Sequence, residues 1–315
     1  MDSLSSLNLQ CACGSVVNVN HELDLGICSN DNCIHSTEES AYKVVRGVPI
    51  MISEKLTDTA FSGFAEESYL LRNNSFLEKV KRTLQFANPQ ITKKNAEIFI
   101  DEVSSISTFK PKVLIIGSGN IGFGADAISL SSNFSIIGTD VYISDTVDVV
   151  SDAHYLPFED NSFDGVWIQA VLEHVVEPNI VISEIHRILK NSGIVYAETP
   201  FMQQVHEGAH DFTRFTETGH RFLFKRFKEI KSGTIGGSSM VLSWAFRHYI
   251  LSITRSNFLS RLAFIIAKLF TSPFIPFESK KMRFDNCSGV FFLGKSSEKI
   301  EVTHKQIISK YKGDQ

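Results

Sequence analysis

A short apolar run that ends in closely spaced glycines restricts this chain more than any other feature. Residues 112–116 read Lys-Val-Leu-Ile-Ile, and residues 117–122 read Gly-Ser-Gly-Asn-Ile-Gly. Such a run is typical of a parallel strand that is buried on both faces. Glycines follow because a Cβ would block both the sharp strand-to-helix turn and the close approach of a ligand. The pair predicts an α/β sheet that binds a ligand at the carboxyl ends of its strands.

A second predicted strand, 135–140, ends in an acidic residue, Asp140. A carboxylate at this place accepts hydrogen bonds from the two ribose hydroxyls of a nucleotide-like cofactor. The motif suits enzymes that use NAD and enzymes that use S-adenosylmethionine (SAM) equally well. The candidate cofactor residues of this part are Gly117, Ser118, Gly119, Gly122 and Asp140.

The next segment distinguishes between these two cofactors. Residues 150–158 read Val-Ser-Asp-Ala-His-Tyr-Leu-Pro-Phe, 161–167 read Asn-Ser-Phe-Asp-Gly-Val-Trp, and 170–175 read Ala-Val-Leu-Glu-His-Val. From about residue 112 to 233 the chain closely resembles the class I SAM-dependent methyltransferases of the type 11 group. The resemblance implies a Rossmann-like, seven-stranded α/β sheet with helices on both faces, and SAM as cofactor.

The same resemblance implies roles for individual residues. Asp152 corresponds to the aspartate that binds the adenine amino group, and Ala153 offers its backbone. The 117–122 turn packs on the methionine and ribose parts of SAM, and Gln169 at the end of the fourth strand is a further candidate. One alternative is a degenerate domain that binds no cofactor. A dehydrogenase is less favoured, because no residues here resemble the catalytic set of a hydride-transfer enzyme.

Four of the five cysteines lie within the first 33 residues. Two close pairs of thiols separated by a hairpin-length spacer can meet at one tetrahedral Zn²⁺. The predicted metal ligands are Cys11, Cys13, Cys28 and Cys33. His35 is an alternative ligand, and free thiols or a disulfide pair remain open. Five cysteines are too few for a secreted disulfide scaffold of this length.

The segment after these cysteines resembles the closing strand of zinc ribbons of the Trm112-like type. Residues 42–52 read Tyr-Lys-Val-Val-Arg-Gly-Val-Pro-Ile-Met-Ile. The resemblance covers about residues 8–53, and such ribbons often precede a methyltransferase domain. The C-x-C and C-x4-C spacings depart from the usual C-x2-C pattern, which leaves the ligand set open.

These features predict several consecutive units. They are a zinc-ribbon-like module over 1–53, a helical linker over 54–108, the methyltransferase domain over 109–297 with a helical insertion over 236–284, and a polar tail over 298–315. Within the linker, apolar spacing predicts helices over 60–84 and 96–103. Residues 286–295 resemble the last strand of such domains, which enters the sheet antiparallel, so Cys287 is expected in the core.

The candidate catalytic residues lie mainly in the loop that follows the fifth predicted strand, 193–200. This loop is similar to H-D-x-x-R-F-T loops in type 11 methyltransferases associated with surface-glycan synthesis. A neutral histidine can take a proton from a hydroxyl near neutral pH, and arginine can hold a phosphate or carboxylate in a bidentate manner. The loop candidates are His206, His210, Asp211 and Arg214.

Each candidate also has a second interpretation. His210 and Asp211 could cap the next helix and order the loop, and together with His206 they could hold a divalent metal. His174, just after the fourth predicted strand of the methyltransferase sheet, is another candidate base. Its second interpretation is a hydrogen bond to the loop backbone. Weaker catalytic candidates are Glu173 and Tyr155.

Charge is distributed unevenly along the chain. The net charge is −4, but residues 225–283 carry eleven Lys and Arg against two Glu, so this segment is +9 and the remainder −13. Four of these cations share one face if a single helix continues through them: Arg247, Arg255, Arg261 and Lys268. An apolar helix with a cationic stripe suits the membrane interface. A lid over the active site and a dimer contact remain open alternatives.

We therefore expect SAM-dependent O-methylation of a sugar, glycan or lipid-linked acceptor. This acceptor can also carry phosphate groups. The Asn/Asp-Pro-Pro-aromatic motif of exocyclic-amine methyltransferases is absent after the fourth strand, which argues against methylation of DNA bases. The alternatives are an rRNA or tRNA methyltransferase and a non-catalytic SAM-binding module. The first residues lack a basic and apolar leader, so we expect a cytoplasmic protein, peripheral at the inner face of the membrane.

Overall fold

The computed structural model describes residues 8–52, 89–106, 109–120, 122 and 124–315. The chain forms a four-stranded antiparallel sheet near the N-terminus and a seven-stranded mixed sheet after it. The helix predicted over 60–84 lies outside the described residues.

The small sheet has its four strands in sequence order. They are β1 (Val17–Asn20), β2 (Leu25–Cys28), β3 (Tyr42–Val45) and β4 (Val48–Pro49). Gly14 adopts φ +84°, a left-handed conformation that favours glycine, and its amide donates to the carbonyl of Cys11 at 2.8 Å. This turn places the first pair of cysteines beside the β1–β2 hairpin, as a ribbon-like module requires.

The large sheet has the order β10-β11-β9-β8-β5-β6-β7. Its strands are β5 (Lys112–Ile116), β6 (Ser135–Asp140), β7 (Val149–Val150), β8 (Phe163–Gln169), β9 (Leu189–Pro200), β10 (Phe227–Ile235) and β11 (Gly289–Ser296). All neighbours from β7 to β9 are parallel, whereas β11 is antiparallel to both β9 and β10. The expected seven-stranded, Rossmann-like sheet with an antiparallel last strand is confirmed.

Chain order reverses around β5, which lies between β6 and β8. Strands that turn to opposite sides at this point leave a crevice at their carboxyl ends, and ligands of open α/β sheets bind there. The turn that begins at Gly117 follows β5 directly, so the topology puts the glycine motif at this crevice.

Helices cover both faces of the large sheet. The described α-helices are α1 (Pro89–Ile106), α2 (Ala125–Ser129), α3 (Pro178–Ile188), α4 (Glu217–Leu223), α5 (Ser238–Thr254), α6 (Asn257–Thr271), α7 (Met282–Asn286) and α8 (His304–Ser309). Helix α1 buries Ala96, Phe99 and Val103, whose helical spacing forms one apolar face. Phe99 meets Trp167 of β8 edge to face, with 5.4 Å between ring centroids.

The insertion between β10 and β11 consists of α5, α6, a 3-10 segment (Ser272–Phe277) and α7. Arg255 ends α5 in the left-handed conformation, with φ 52°, and α6 begins two residues later. One continuous helix through the four cations is therefore not formed, because the helical phase breaks at Arg255.

The ribbon module packs on the edge of the large sheet. Ile50 bridges Val150 of β7 in parallel, and the Met51 amide donates to the Val150 carbonyl at 2.8 Å. Leu9 bridges Phe158, and both side chains belong to the main core. Residues after β11 return to the domain through α8, where Ile307 is buried and Arg221 donates to the Lys310 carbonyl at 3.0 Å.

Candidate functional site

The turn after β5 is shaped by glycines that no other residue could replace without movement. Gly117 has φ +81°, and a Cβ there would lie 2.4 Å from Cγ2 of Val171. A Cβ on Gly119 would lie 2.6 Å from the ring of Tyr142. Backbone therefore runs close to both neighbouring walls of the crevice, which leaves room there for a ligand.

Asp140 lies at the mouth of this turn. Its Oδ2 accepts from the amide of Gly119 at 2.8 Å, and its Oδ1 accepts from the amide of Val141 at 2.7 Å. The hydroxyl of Tyr142 accepts from the Asn120 side chain at 3.0 Å, which closes the same turn from outside. The carboxylate predicted to bind the ribose thus stands beside the glycine motif, 21 positions along the chain from Gly119.

Asp152 follows β7 and is almost completely buried. One carboxylate oxygen, Oδ1, accepts from the amide of His154 at 2.9 Å and from its Nδ1 at 2.6 Å. His154 Nε2 in turn accepts from the Glu177 amide at 3.2 Å, so the ring proton sits on Nδ1. The second oxygen, Oδ2, is buried and has no hydrogen-bond partner among the described residues.

This orphaned oxygen fits the adenine of SAM. A buried acceptor without a donor is costly, and an exocyclic amino group is a donor. Ala153, which the resemblance assigns to the same adenine, is buried beside it. The donor and acceptor chemistry of residues 152–154 is therefore complementary to the cofactor. His154 was not among the sequence candidates, although its position two residues after Asp152 could have indicated it.

Gln169 ends β8 opposite Glu198 of β9. A Cβ on Gly122 would lie 2.6 Å from Gln169 Oε1, so the amide group lies against the glycine turn. Glu198 Oε2 accepts from Thr92 of α1 at 2.9 Å and from the hydroxyl of Tyr196 at 2.8 Å. Burial raises the pKa of Glu198. Sequence reasoning missed this polar cluster, whose only local indication is an acidic residue at the end of an apolar strand.

Strand β8 is followed by a 3-10 turn, Leu172–His174, at the same edge of the sheet. Glu173 is 1% exposed, and neither of its carboxylate oxygens has a hydrogen-bond partner among the described residues. Burial raises the pKa of Glu173 to about 8. Its carbonyl accepts from the amides of Phe212 and Thr213 at 2.8 and 3.3 Å, which ties the loop after β9 to this turn.

His174 is held in one tautomer by that loop. Its Nδ1 lies 2.8 Å from the carbonyl of His210, which can only accept, so the proton sits on Nδ1. Burial lowers the pKa of His174, which keeps the ring neutral near pH 7. Its Nε2 therefore presents a lone pair, 3.7 Å from Oε1 of Glu173.

Arg214 and Asp211 organise the loop that carries the other candidates. Arg214 forms a bidentate ion pair with Asp211, one bond of which measures 2.8 Å, and also donates to the carbonyls of Gln203, Gln204 and Thr213. Burial alone would raise the pKa of Asp211, but hydrogen bonds from Arg214 and from the His206 amide outweigh it and lower this pKa to about 2. These donors of Arg214 are thus engaged by its own loop.

The remaining candidates take distinct places. His206 lies beside His174, with 5.0 Å between the ring centroids, whereas the side chain of His210 is exposed and its carbonyl is what reaches the site. Tyr155 is half-buried just after the adenine segment. Thr216 caps α4 by accepting from the Gly219 amide at 3.1 Å, the role considered above for His210 and Asp211.

The four ribbon cysteines converge on one point. Their Sγ atoms all lie within 4.8 Å of one another, and Cys11–Cys33 and Cys13–Cys28 are each 3.5 Å apart. A tetrahedral site with Zn–S bonds of about 2.3 Å has sulfur–sulfur edges of about 3.8 Å. The arrangement fits a structural zinc and is too open for disulfides. His35 instead bonds the carbonyl of Ser40 through Nδ1 at 2.7 Å and stacks on Tyr42.

A comparison with protein families places part of the chain. Residues 123–197 match the family model described as a methyltransferase domain. No curated protein sequence matches the chain.

Solved structures of low sequence identity are similar to the chain. A SAM-dependent methyltransferase from Archaeoglobus fulgidus is 16% identical, with 70% of this chain and 100% of that chain covered and a TM-score of 0.44. A putative sarcosine dimethylglycine methyltransferase from Galdieria sulphuraria is 17% identical, with 66% and 87% covered and a TM-score of 0.41. Phosphoethanolamine N-methyltransferase 2 from Haemonchus contortus, in complex with SAM, is 18% identical, with 64% and 53% covered and a TM-score of 0.39.

Proposed function

Since the chain carries a class I SAM-dependent methyltransferase domain, we propose that it methylates a hydroxyl oxygen of a sugar or other glycan-type acceptor that is carried on a lipid. The observation that carries the choice of oxygen is the His174–Glu173 pair at the carboxyl end of β8. The observation that carries the choice of a lipid is the apolar, cationic surface of α5 and α6.

Bound SAM supplies an activated methyl group: the acceptor oxygen forms a bond to the methyl carbon while the carbon–sulfur bond breaks, its electron pair stays on sulfur, and the hydroxyl proton goes to a base. Residues at the crevice divide this work. Asp152 and Ala153 hold the adenine, Asp140 holds the ribose, and the 117–122 turn with Gln169 lines the remaining part. Catalysis then rests on aligning the acceptor and removing its proton.

A hydroxyl acceptor requires a group that takes its proton near neutral pH. His174 offers an unprotonated Nε2, because its Nδ1 proton is committed to the His210 carbonyl. Its side chain is 22% exposed, so an acceptor can reach it from solvent. A neutral imidazole fixed in this tautomer at the edge of the cofactor crevice is suited to general-base catalysis.

The α5–α6 hairpin presents an unusually apolar surface. In α6, small and apolar residues face α5 and the domain: Ser260, Ala263, Phe264, Ala267 and Thr271. The opposite face exposes large apolar side chains: Leu259, Leu262, Ile266, Leu269 and Phe270. Within the described residues, the helical stretch 257–277 is long and apolar enough, by length and composition, to cross a membrane. A contiguous apolar surface of this kind marks an interaction site.

Cations border this apolar surface and point to an anionic partner. Arg255, Arg261, Lys268, Lys280 and Lys281 are all exposed. Arg261 and Lys268 are seven positions apart in α6 and therefore share a face. Apolar anchors flanked by cations suit a helix that lies in the headgroup region of an anionic membrane, whereas charges at these places oppose spanning. We propose that the hairpin docks on the inner face of the cytoplasmic membrane and brings the crevice to a lipid-linked acceptor.

Transfer of labelled methyl groups tests the proposal. Purified protein is incubated with methyl-labelled SAM and an extract of its own cells, and lipid, RNA, protein and soluble fractions are separated. We expect label in the lipid fraction, in a species from which mild acid releases a methylated glycan. His174→Ala should lower this incorporation while leaving the Kd for SAM unchanged, because His174 contacts the acceptor and not the adenine side.

Other outcomes would overturn the proposal. Label confined to RNA would identify a nucleic-acid methyltransferase, and SAM binding without transfer to any fraction would identify a non-catalytic module. Unchanged incorporation by the His174→Ala variant would remove this residue from the proposed chemistry.

A further inference from the structure

We propose that Glu173, His174 and His206 form a second metal site, separate from the ribbon cysteines, which binds a divalent transition-metal cation where the acceptor hydroxyl enters. The inference rests on the proposed function only for the role of the cation: with the cation bound, His174 is a ligand, and without it His174 remains the proton acceptor. The site itself is argued from the geometry of the three side chains.

The three ligand atoms already lie together. One carboxylate oxygen of Glu173 and one ring nitrogen each of His174 and His206 are within 4.8 Å of one another. Metal–ligand bonds of about 2.1 Å bring such atoms to about 3–3.5 Å from each other. The remaining movement is therefore at most about 2 Å. His206 can make it because its side chain lies on a loop and is 33% exposed.

His174 is oriented as a metal-bound histidine usually is. His174 donates from Nδ1 to the His210 carbonyl, and this leaves Nε2 free towards Glu173. His206 Nδ1 lies 3.4 Å from Asp211 Oδ2, 3.4 Å from the Gln204 carbonyl and 3.5 Å from Arg214 Nη2, so two acceptors and one donor surround this nitrogen. A carboxylate or carbonyl that fixes the far nitrogen is the usual second partner of a metal-bound histidine.

The carboxylate of Glu173 is a separate observation that points to a ligand. It is 1% exposed, and both oxygens lack a hydrogen-bond partner among the described residues. Arg214 is the positively charged side chain that acts electrostatically on Glu173, and it is already paired with Asp211. A buried carboxyl without donors is unfavourable, and a bound cation is one of the few groups that resolves it.

The ligand set selects the class of cation. Two imidazoles and one carboxylate suit Mn²⁺, Fe²⁺, Co²⁺ or Zn²⁺, whereas Ca²⁺ and Mg²⁺ prefer oxygen ligands. Three protein ligands leave coordination positions open, as in catalytic sites. A hydroxyl of the acceptor bound at an open position becomes more acidic and loses its proton to water before its oxygen attacks the methyl carbon. In this state His174 and His206 are ligands and not proton acceptors.

Cobalt titration of the metal-free, full-length protein tests the site apart from activity. We expect two equivalents of Co²⁺ to bind. One produces the thiolate-to-cobalt charge-transfer absorption of the ribbon cysteines, and the other produces only d–d bands. His206→Ala and Glu173→Gln should abolish the second equivalent and retain the first, whereas Cys28→Ser should do the reverse. His304→Ala, at an exposed histidine of α8, serves as the control and should retain both.

Two results would overturn the site. The first is a wild-type protein that binds one equivalent, with thiolate absorption only. The second is a His206→Ala variant that keeps the second equivalent while its melting temperature shows that it folds. Failure of the site is distinguishable from failure of the proposed function, because methyl transfer by protein that holds only the ribbon metal would leave O-methylation standing with His174 as base.

Discussion

His154 donates two hydrogen bonds to one carboxylate oxygen of Asp152, from its amide at 2.9 Å and from its Nδ1 at 2.6 Å, and the other oxygen is buried with no hydrogen-bond partner in the described part of the chain. The pair prepares a single acceptor of fixed direction for a donor that arrives with the cofactor. An oxygen held in this way requires no reorganisation when the ligand binds, which is how preorganised sites gain affinity.

Asp152→Asn should therefore weaken SAM binding. The amide oxygen can keep the two bonds from His154, so that the amide NH₂ then faces the adenine amino group, donor against donor. We expect the Kd to rise roughly 10- to 100-fold, as for loss of a charge-assisted hydrogen bond with an unpaired donor left behind. Isothermal titration calorimetry measures it. Glu97→Gln, at an exposed acid of α1, controls for the loss of one negative charge, and an equal Kd in both variants would contradict the assignment.

Cys28→Ser should remove the thiolate-bound metal and destabilise the ribbon. Cys28 lies 3.5 Å from Cys13 and is buried, so its serine variant leaves three thiols around the centre. Structural zinc contributes directly to folding of small modules. We expect one fewer zinc equivalent by elemental analysis and a melting temperature lower by several degrees. Cys287→Ala alters the one cysteine outside the cluster and should keep its zinc; equal metal content in both variants would count against the site.

His220 should make the protein less stable in acid. It is fully buried between Phe215 and Phe224, both ring nitrogens lack hydrogen-bond partners among the described residues, and burial lowers its pKa to about 3. The unfolded chain binds a proton near pH 6.5 and the folded chain does not. The contribution of the neutral His220 to the free energy of unfolding is therefore complete above pH 6.5. As the pH is lowered from 6.5 to 3, the free energy of unfolding falls by roughly 1 kcal/mol per pH unit.

His220→Phe should remove most of this dependence. Urea unfolding at pH 7 and pH 5 measures it, and we expect a smaller loss of unfolding free energy between the two pH values in the variant. His304→Phe, at an exposed histidine, should keep the slope of the wild type. A variant with the same loss as the wild type would mean that His220 is protonated in the folded state.

Asp211→Asn should loosen the loop that follows β9. The carboxylate pairs with Arg214, and this ion pair holds the pKa of Asp211 at about 2, below its usual value of 3.8. The ion pair therefore stabilises the folded loop fully above pH 3.8, and this stabilisation is lost as the pH falls towards 2. Without the charge, Arg214 is less tightly held, and we expect trypsin to cut after it roughly three- to tenfold faster at pH 8. Asp145→Asn, at an exposed site, should not change this rate; equal rates for the two variants would argue against the loop's dependence on this ion pair.

Leu269→Ser combined with Phe270→Ser should weaken membrane docking. These residues are 70% and 72% exposed on α6, so their replacement removes apolar surface without opening the core. We expect roughly a tenfold or greater loss of binding to vesicles that contain anionic lipid, measured by co-sedimentation. Leu130→Ser changes a leucine outside the hairpin that is 85% exposed, and this variant should bind as the wild type does. Equal loss in both variants, or no loss in the double variant, would remove the hairpin from membrane docking.

Much of the fold could be predicted because it depends on short windows of sequence. The run 112–116, the glycines after it and the pattern of 286–295 each specify local geometry, and β5 and the antiparallel β11 form where these windows predict them. The positions of Asp140 and Asp152 follow as well, since each ends or follows a strand whose carboxyl end lies at the crevice. The four cysteines meet because hairpin-length spacing brings paired turns together.

Only the tertiary structure decided which side chains meet at the acceptor side. His174 and His210 are 36 positions apart, and the path of the loop makes the carbonyl of His210, rather than its ring, the group that contacts His174. Glu198 reaches Thr92 of α1 across 106 positions. Helical or strand periodicity and turn formation depend on residues that are neighbours in the sequence. Contacts between distant residues depend instead on strand register, on helix packing and on burial, which determines whether a carboxyl group has a hydrogen-bond partner.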